Sequence, residues 1–241
     1  ATEIVKGTEL NHGGTVEVAI SLNGGVDFSK NNPSFEYKPV PIVQGLTPAH
    51  GSIYGGTRVR VVGYNFSKES VKSCLFWGRD VSVYYGNTET VPISTYVSST
   101  EVVCTTPAWM KSQDVLILVI ANEDIPSLGN SLHTRGQIYH YHEQIEIVSV
   151  HPESSKSTGN VTVEIFGGPF IANNADGFYC MFGDDIVPAK FVTTTQITCR
   201  TPTHAAGAYS IEVTQNGQDY TQYGRVFRFY HESIIHRIQP A

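Results

Sequence analysis

The chain has 241 residues, of which 40% are hydrophobic and 16% charged, with a net charge of −6. This composition supports a folded core and excludes intrinsic disorder, while an acidic chain without a Lys/Arg cluster argues against binding nucleic acid or an anionic membrane surface. The longest apolar run, residues 115–121, is much shorter than the ~20 residues of a membrane-spanning helix.

Alternation of apolar and polar residues begins near the N-terminus and recurs along the chain. It is clearest in residues 14–20, 57–62, 161–166 and 207–214. This period of two predicts strands with one buried and one solvated face. Asn23-Gly24 and Asn216-Gly217 follow two of these strands and predict tight type I′ hairpin turns. The expected fold class is therefore all-β.

Three similar segments divide the chain, each predicting a closing strand, a short linker and an opening strand that ends at a proline. They are residues 35–48, 138–152 and 227–240. Their prolines are spaced by roughly 100 residues, which suits one small β-sandwich between each pair. Residues 14–37 also follow the pattern of residues 207–229. We therefore expect residues 1–38 to be the last strands of a preceding domain, 39–142 and 143–230 to be complete domains, and 231–241 to be the first strand of a following one.

The four cysteines recur at matching places in the two complete units. Cys74 and Cys180 each open a short aromatic segment, Cys104 precedes Thr-Thr-Pro and Cys199 precedes Arg-Thr-Pro. The repeat therefore predicts the disulfides Cys74–Cys104 and Cys180–Cys199, which imply an oxidising, extracellular location. The alternative is four buried thiols in a cytosolic protein. No pair has the CxxC spacing of zinc or redox sites.

A family resemblance rests on four motifs of the first unit. They are Gly51-Ser-Ile-Tyr-Gly-Gly-Thr57, Val-Val-Gly-Tyr-Asn-Phe66, Cys-Leu-Phe-Trp-Gly78 and Val-Cys-Thr-Thr-Pro107. Together they resemble the IPT/TIG domain, and the second unit matches more loosely. The resemblance implies tandem immunoglobulin-like (E-set, IPT/TIG) β-sandwiches. The family occurs in plexin-type and fibrocystin-type ectodomains, in Rel-type transcription factors and in secreted starch-degrading enzymes. Disulfides, acidic charge and tandem repeats favour the first setting.

Few residues suggest a chemical site. The sequons at Asn65 and Asn160 predict N-glycosylation, although either asparagine could simply occupy a turn. His140 and His142 share a strand face and could hold a metal, but an outward polar face is the favoured interpretation. Residues 173–177 lack the ligand spacing of a calcium loop and predict a turn. Motifs of hydrolases, metalloproteases and phosphate loops are absent, so we expect no catalytic, cofactor-binding or metal-binding residues.

The leading functional hypothesis is a non-enzymatic structural segment of an extracellular cell-surface stalk, adhesion array or filament. Its expected partners are covalently attached glycans and other copies or neighbouring immunoglobulin-like domains, arranged head to tail. Residues 234–238 could add a strand to another molecule. One alternative is the ectodomain of a ligand-binding receptor. Another is a carbohydrate-binding accessory module in which Trp77, Trp109 and tyrosines stack on sugars.

Overall fold

All regular structure in the described residues is β-strand. The computed structural model describes residues 14–37, 39–78, 88–121, 136–172, 176–222 and 224–232. Within these ranges no helix has the length and apolarity needed to cross a bilayer. The strands form a two-stranded N-terminal hairpin followed by two similar eight-stranded arrangements.

The first sandwich contains strands β3 to β10. Their bounds are β3 (Ile42–Thr47), β4 (His50–Ser52), β5 (Arg58–Tyr64), β6 (Val71–Gly78), β7 (Thr88–Ser98), β8 (Glu101–Thr105), β9 (Gln113–Ala121) and β10 (Gln137–His142). The strand order is β3-β5-β8-β7-β6-β9-β10-β4. The first half of β7 pairs with β6 and its second half with β8. This long strand therefore connects the two packed sheets.

The second sandwich repeats this arrangement with strands β11 to β18. Their bounds are β11 (Glu146–His151), β12 (Ser154–Lys156), β13 (Thr162–Gly168), β14 (Phe178–Phe182), β15 (Asp185–Thr193), β16 (Gln196–Arg200), β17 (Gly207–Thr214) and β18 (Arg225–Tyr230). The order β11-β13-β16-β15-β14-β17-β18-β12 matches the first sandwich position by position. The all-β, tandem immunoglobulin-like fold expected from the sequence is confirmed.

Period-two alternation places the core residues. In β5, Val59 and Val61 are fully buried while Arg58 and Arg60 face solvent, and β13 buries Val163 and Ile165 in the same way. Each sandwich has its own apolar core. Because burial of such side chains stabilises a fold by about 1.5–3 kcal/mol each, this alternation fixes the face that each strand turns inward.

One disulfide crosses each core. Cys74 on β6 is bonded to Cys104 on β8, and Cys180 on β14 is bonded to Cys199 on β16, with Cα–Cα distances of 6.3 and 6.4 Å. These distances are within the usual range for a disulfide. All four cysteines are paired. The bonds occupy equivalent positions, so each one fastens the two packed sheets of its own sandwich.

The N-terminal hairpin has the register of the last two strands of the second sandwich. Strands β1 (Gly14–Glu17) and β2 (Ser34–Tyr37) pair Gly14 with Tyr37, just as β17 and β18 pair Gly207 with Phe229. The loops also match: Ile20 N donates to Ser29 Oγ, as Val213 N donates to Thr221 Oγ1, both at 3.0 Å. The hairpin is thus built like the closing pair of strands of a sandwich.

The hairpin differs from that pair in what covers its apolar side. Ile211, Val213, Phe227 and Phe229 are buried in the second core. The large apolar side chains that are exposed in the hairpin are Val18, Ile20, Leu22, Val26, Phe28, Phe35 and Tyr37. Among the described residues, this face has no sheet packed upon it.

The expected type I′ turns at Asn-Gly are wrong. Strands β1 and β17 end well before the next strand begins, at Glu17 and Thr214, and wide loops follow. Gly24 and Gly217 have positive φ values of 72° and 73°, but the preceding asparagines do not, whereas a type I′ turn requires both. Instead, the Asn23 and Asn216 side chains accept backbone N–H groups of the loop. The asparagine side chain replaces the turn's own backbone hydrogen bond.

Candidate functional site: the junction between the sandwiches

One loop of the second sandwich forms most of the described hydrogen bonds with the first sandwich. Residues 216–219, here called the latch loop, follow β17 and contact residues 49–58 of the first sandwich, here called the acceptor surface. The acceptor surface comprises β4, the turn after it and the start of β5. The contacts are hydrogen bonds between residues more than 150 positions apart.

Asp219 is the centre of this junction. Its Oδ2 atom accepts hydrogen bonds from the Thr57 hydroxyl at 2.7 Å, the Asn216 amide at 2.8 Å and the Ser52 backbone N–H at 3.2 Å. Two of these donors belong to the first sandwich and one to the latch loop itself. Hydrogen bonds to a carboxylate are stronger than neutral ones, so a single side chain supplies much of the attraction.

The rest of the latch loop is arranged around Asp219. Asn216 Oδ1 accepts the backbone N–H groups of Gln218 and Asp219, at 3.0 and 2.9 Å, which orders the loop before it meets the acceptor surface. Asn216 also donates to the His50 carbonyl at 3.1 Å. Gln218 accepts from Arg58 N at 3.1 Å and donates to Arg58 O at 3.0 Å. The loop therefore binds both side-chain and backbone groups of the first sandwich.

Gly51 leaves the space that Asp219 needs. A Cβ atom at this position would collide with the Tyr139 hydroxyl and Thr57 Oγ1 and would lie 3.0 Å from Asp219 Oδ2. In the second sandwich, the equivalent residue is Ser155, which pairs with Phe229 as Gly51 pairs with Tyr141. The Ser155 hydroxyl is hydrogen-bonded to Lys156 O and Thr201 Oγ1. The acceptor surface of the first sandwich is therefore not reproduced in the second.

A second acidic residue contacts the same surface. Asp176 Oδ2 accepts the Ala49 backbone N–H at 3.0 Å and lies 3.3 Å from His50 Nε2. Asp176 belongs to the segment 173–177, for which the sequence predicts a turn. Asp176 does lie in a turn, while residues 173–175 are outside the described part of the chain. Contacts from two loops of the second sandwich thus hold the N-terminal edge of the acceptor surface.

Two buried histidines face each other at the junction. The rings of His50 and His142 lie 5.6 Å apart, and both residues are buried. His142 Nδ1 donates to the Glu143 carbonyl at 2.7 Å, and the described part of the chain offers its Nε2 no hydrogen-bond partner. Burial lowers the pKa of His142, because the charged imidazolium is disfavoured away from water. This imidazole is therefore neutral at pH 7.

The two candidate metal ligands do not act together. His140 is partly exposed, and its Nδ1 lies 2.7 Å from Asp114 Oδ1, whereas His142 turns into the junction. The outward polar face expected for both histidines is thus wrong for His142. In the described ranges, no group of three His, Cys, Asp or Glu residues is placed to hold a metal ion.

A cleft opens beside the junction. Its volume is about 610 Å³, and both sandwiches and the linker contribute to it. Ser52 and Tyr54 come from the turn after β4, Gln144 from the linker, and Tyr220 and Gln222 from the loop after β17. The cleft lies directly next to Asp219, which is one of its lining residues.

The tryptophans proposed as sugar platforms are placed elsewhere. Trp109 is buried and stacks on Tyr141 with ring centroids 5.3 Å apart, so it is not available for the sugar stacking considered as an alternative. Trp77 packs against a second apolar cluster formed by Leu75, Leu116, Leu118 and Ile120. Both rings therefore contribute to packing within the first sandwich.

The two sequon asparagines are exposed. Asn65 and Asn160 have positive φ values of 63° and 62° and follow or precede strands. Asn65 Nδ2 donates to Val40 O at 3.0 Å, and Asn160 Oδ1 accepts from Arg200 at 2.8 Å. Their glycosylation stays a prediction, as does strand addition by residues 234–238, which lie outside the described residues.

Sequence reasoning missed the junction, although the repeat carried a signal for it. Gly51 and Thr57 of the first unit correspond to Ser155 and Val161 of the second. The second unit lacks this glycine and threonine, which indicates that only the first unit has the contact surface they form. The contact partner, Asp219, could not be found in this way because it is remote in sequence.

Comparison with known proteins gives consistent matches. The family model for the IPT/TIG domain matches residues 41–134 and 146–229. Human fibrocystin-L is 21% identical over 206 residues, covering 86% of this chain and 4% of that protein. A structure of the plexin A4 full extracellular region is 18% identical, with a TM-score of 0.54, over 85% of this chain and 17% of that one. The chain thus spans only a small part of the length of these relatives.

Proposed function

The chain belongs to the IPT/TIG family, and we propose that it is a non-enzymatic structural segment of an extracellular stalk, adhesion array or filament. The observation that carries the proposal is the latched junction, in which Asp219 joins the second sandwich to Ser52 and Thr57 of the first. Tandem domains joined by flexible linkers move independently by default. A hydrogen-bonded junction instead holds consecutive sandwiches in one orientation, as an extended structural element requires.

The repeat supports a proposal for the domain boundaries. We propose that residues 39–142 and 143–230 are complete domains, that 1–38 are the closing strands of a preceding one, and that 231–241 open a following one. The matched register of the N-terminal hairpin with β17 and β18 supports this assignment of residues 1–38. Its exposed apolar side chains, such as Leu22 and Phe28, would be buried by the remainder of such a domain.

An extracellular location is supported by the two disulfides, which persist in oxidising compartments. The sequons at Asn65 and Asn160 are exposed and thus accessible to a glycosyltransferase. Neighbouring IPT/TIG domains, joined head to tail, are the expected partners. No residue constellation in the described ranges suggests a catalytic role.

The proposal is tested by locating the native protein. Antibodies raised against this chain, with gold labels, should decorate stalks or filaments on intact cells in electron microscopy. The same antibodies should label unpermeabilised cells. Labelling that appears only after permeabilisation, or that is spread through the cytosol, would contradict the proposal. Non-reducing peptide mapping of the native material provides a control, because it must return Cys74–Cys104 and Cys180–Cys199.

A further inference from the structure

The cleft beside the latch loop has the properties of a ligand site. We propose that it binds a neutral oligosaccharide, held between the turn after β4 in the first sandwich and the loop after β17 in the second. The cleft volume is about 610 Å³, within the range of about 300–1,000 Å³ found for small-molecule sites. Its position between two domains is also a common one for such sites.

Four of the polar side chains around the cleft form no hydrogen bond with the described residues. Gln144 and Gln222 supply primary amides, and Tyr54 and Tyr220 supply phenol hydroxyls. The described residues provide no hydrogen-bond partner for these four side chains. Amides and phenols both donate and accept hydrogen bonds, which suits a ligand whose hydroxyl groups do the same. Sugars present many such groups at close spacing.

The charge of the cleft excludes anionic ligands. None of its lining residues is Lys or Arg, and these are the side chains that recognise carboxylate, phosphate or sulfate groups. Its carboxylate, Asp219, is already occupied by three hydrogen bonds within the junction. A nucleotide, a phospholipid headgroup or a sulfated glycan would therefore be repelled or left unpaired, whereas an uncharged polyol would not.

An aromatic ring is available for stacking. Tyr54 is 68% exposed, although it lines the cleft. Tyrosine offers a flat apolar ring together with a polar hydroxyl, which suits a surface that must stay soluble when empty. The apolar face of a pyranose can lie against this ring while its hydroxyls reach Gln144 and Gln222. Tyr54 is therefore the proposed stacking residue, rather than Trp77 or Trp109, which pack within the first sandwich.

The test is titration of the whole chain with four uncharged trisaccharides, observed by saturation-transfer NMR and calorimetry. The probes are maltotriose, cellotriose, mannotriose and chitotriose, and a sulfated disaccharide serves as the charged comparison. Tyr54→Ala and the double variant Gln144→Ala/Gln222→Ala change the cleft. Tyr64→Ala is the matched control, because Tyr64 is also exposed but lies on β5 outside the cleft.

We expect at least one neutral trisaccharide to bind with a Kd of about 1 mM or tighter, and the sulfated probe not to bind. Each cleft variant should weaken binding by about tenfold or more, whereas Tyr64→Ala should leave it unchanged. The proposal is overturned if none of the four neutral probes binds at about 10 mM. It is also overturned if binding is equal in the wild type and both cleft variants, or if the sulfated probe binds better than the neutral ones.

Discussion

Replacing Asp219 by alanine should uncouple the two sandwiches without unfolding either of them. The substitution removes the acceptor of two hydrogen bonds across the junction, from Thr57 at 2.7 Å and Ser52 at 3.2 Å. Hydrogen bonds to charged groups contribute about 1.5–3 kcal/mol each. Because Asp219 is only half-buried and the freed donors regain water when the junction opens, we expect a loss of about 2–4 kcal/mol in coupling.

The assay uses the position of the two tryptophans, Trp77 and Trp109, both in the first sandwich. In urea denaturation, tryptophan fluorescence therefore reports the first sandwich alone, whereas far-UV circular dichroism reports both. The two transitions should coincide in the wild type. In Asp219→Ala they should separate, with a midpoint shift of about 1 M for a typical urea dependence.

Two variants serve as controls for this measurement. Asp219→Asn keeps one oxygen able to accept the Thr57 hydroxyl, so its effect should be smaller. Asp184→Ala removes an exposed carboxylate of the second sandwich for which the described residues provide no hydrogen-bond partner, and its effect should stay within about 0.5 kcal/mol. If Asp219→Ala behaves like Asp184→Ala, the junction does not couple the sandwiches and the reasoning fails.

Four further predictions concern the packing, cross-links, ionisation and modification of the chain. Gly51→Ala should destabilise the junction by about 1–3 kcal/mol through overpacking, while Gly45→Ala, which has open space around its Cβ, should not; urea denaturation measures both. Cys180→Ala/Cys199→Ala should lower the free energy of unfolding by about 3 kcal/mol in the chain-entropy model, and calorimetry would contradict this if the melting temperature were unchanged. Burial lowers the pKa of His142 in the folded chain. Below the ordinary histidine pKa of about 6.5, the unfolded state therefore binds more protons than the folded state, and the free energy of unfolding decreases as the pH is lowered. His142→Gln should flatten this fall below about pH 6.5, and an unchanged slope would exclude His142 as its source. Expressed through a secretory pathway, Asn65→Gln and Asn160→Gln should each remove one mobility step seen on deglycosylation, and a mass equal to that of the wild type would show an empty sequon.

The fold could be predicted because its signals are local or repeated. Val59 and Val61 alternate with Arg58 and Arg60, and this spacing alone fixes a half-buried strand. The cysteine pairing followed from the recurrence of Cys74 and Cys104 as Cys180 and Cys199, and the structure contains these bonds. The alternation can be read within one unit, and the cysteine recurrence can be read by comparing the two units.

The junction could not be predicted because it depends on contacts across the chain. Asp219 and Thr57 are 162 residues apart, and neither local sequence identifies the other residue as its contact partner. The same limit applied to Trp109, whose stacking partner, Tyr141, lies on another strand, β10. The prediction of type I′ turns at the Asn-Gly sequences was wrong for a different reason. The Asn216 side chain accepts a hydrogen bond from the loop backbone, and the turn preference of an Asn-Gly pair does not take this into account.

The position of each disulfide determines how a pulled domain would lengthen. Cys74 and Cys104 are separated by 30 positions, and the bond between them holds β6, β7 and β8 in a closed loop. If tension opened the first sandwich, that loop could not extend. At about 3.4 Å per residue, roughly 100 Å of chain would stay out of reach, and reduction would release it as a longer step in a force–extension trace.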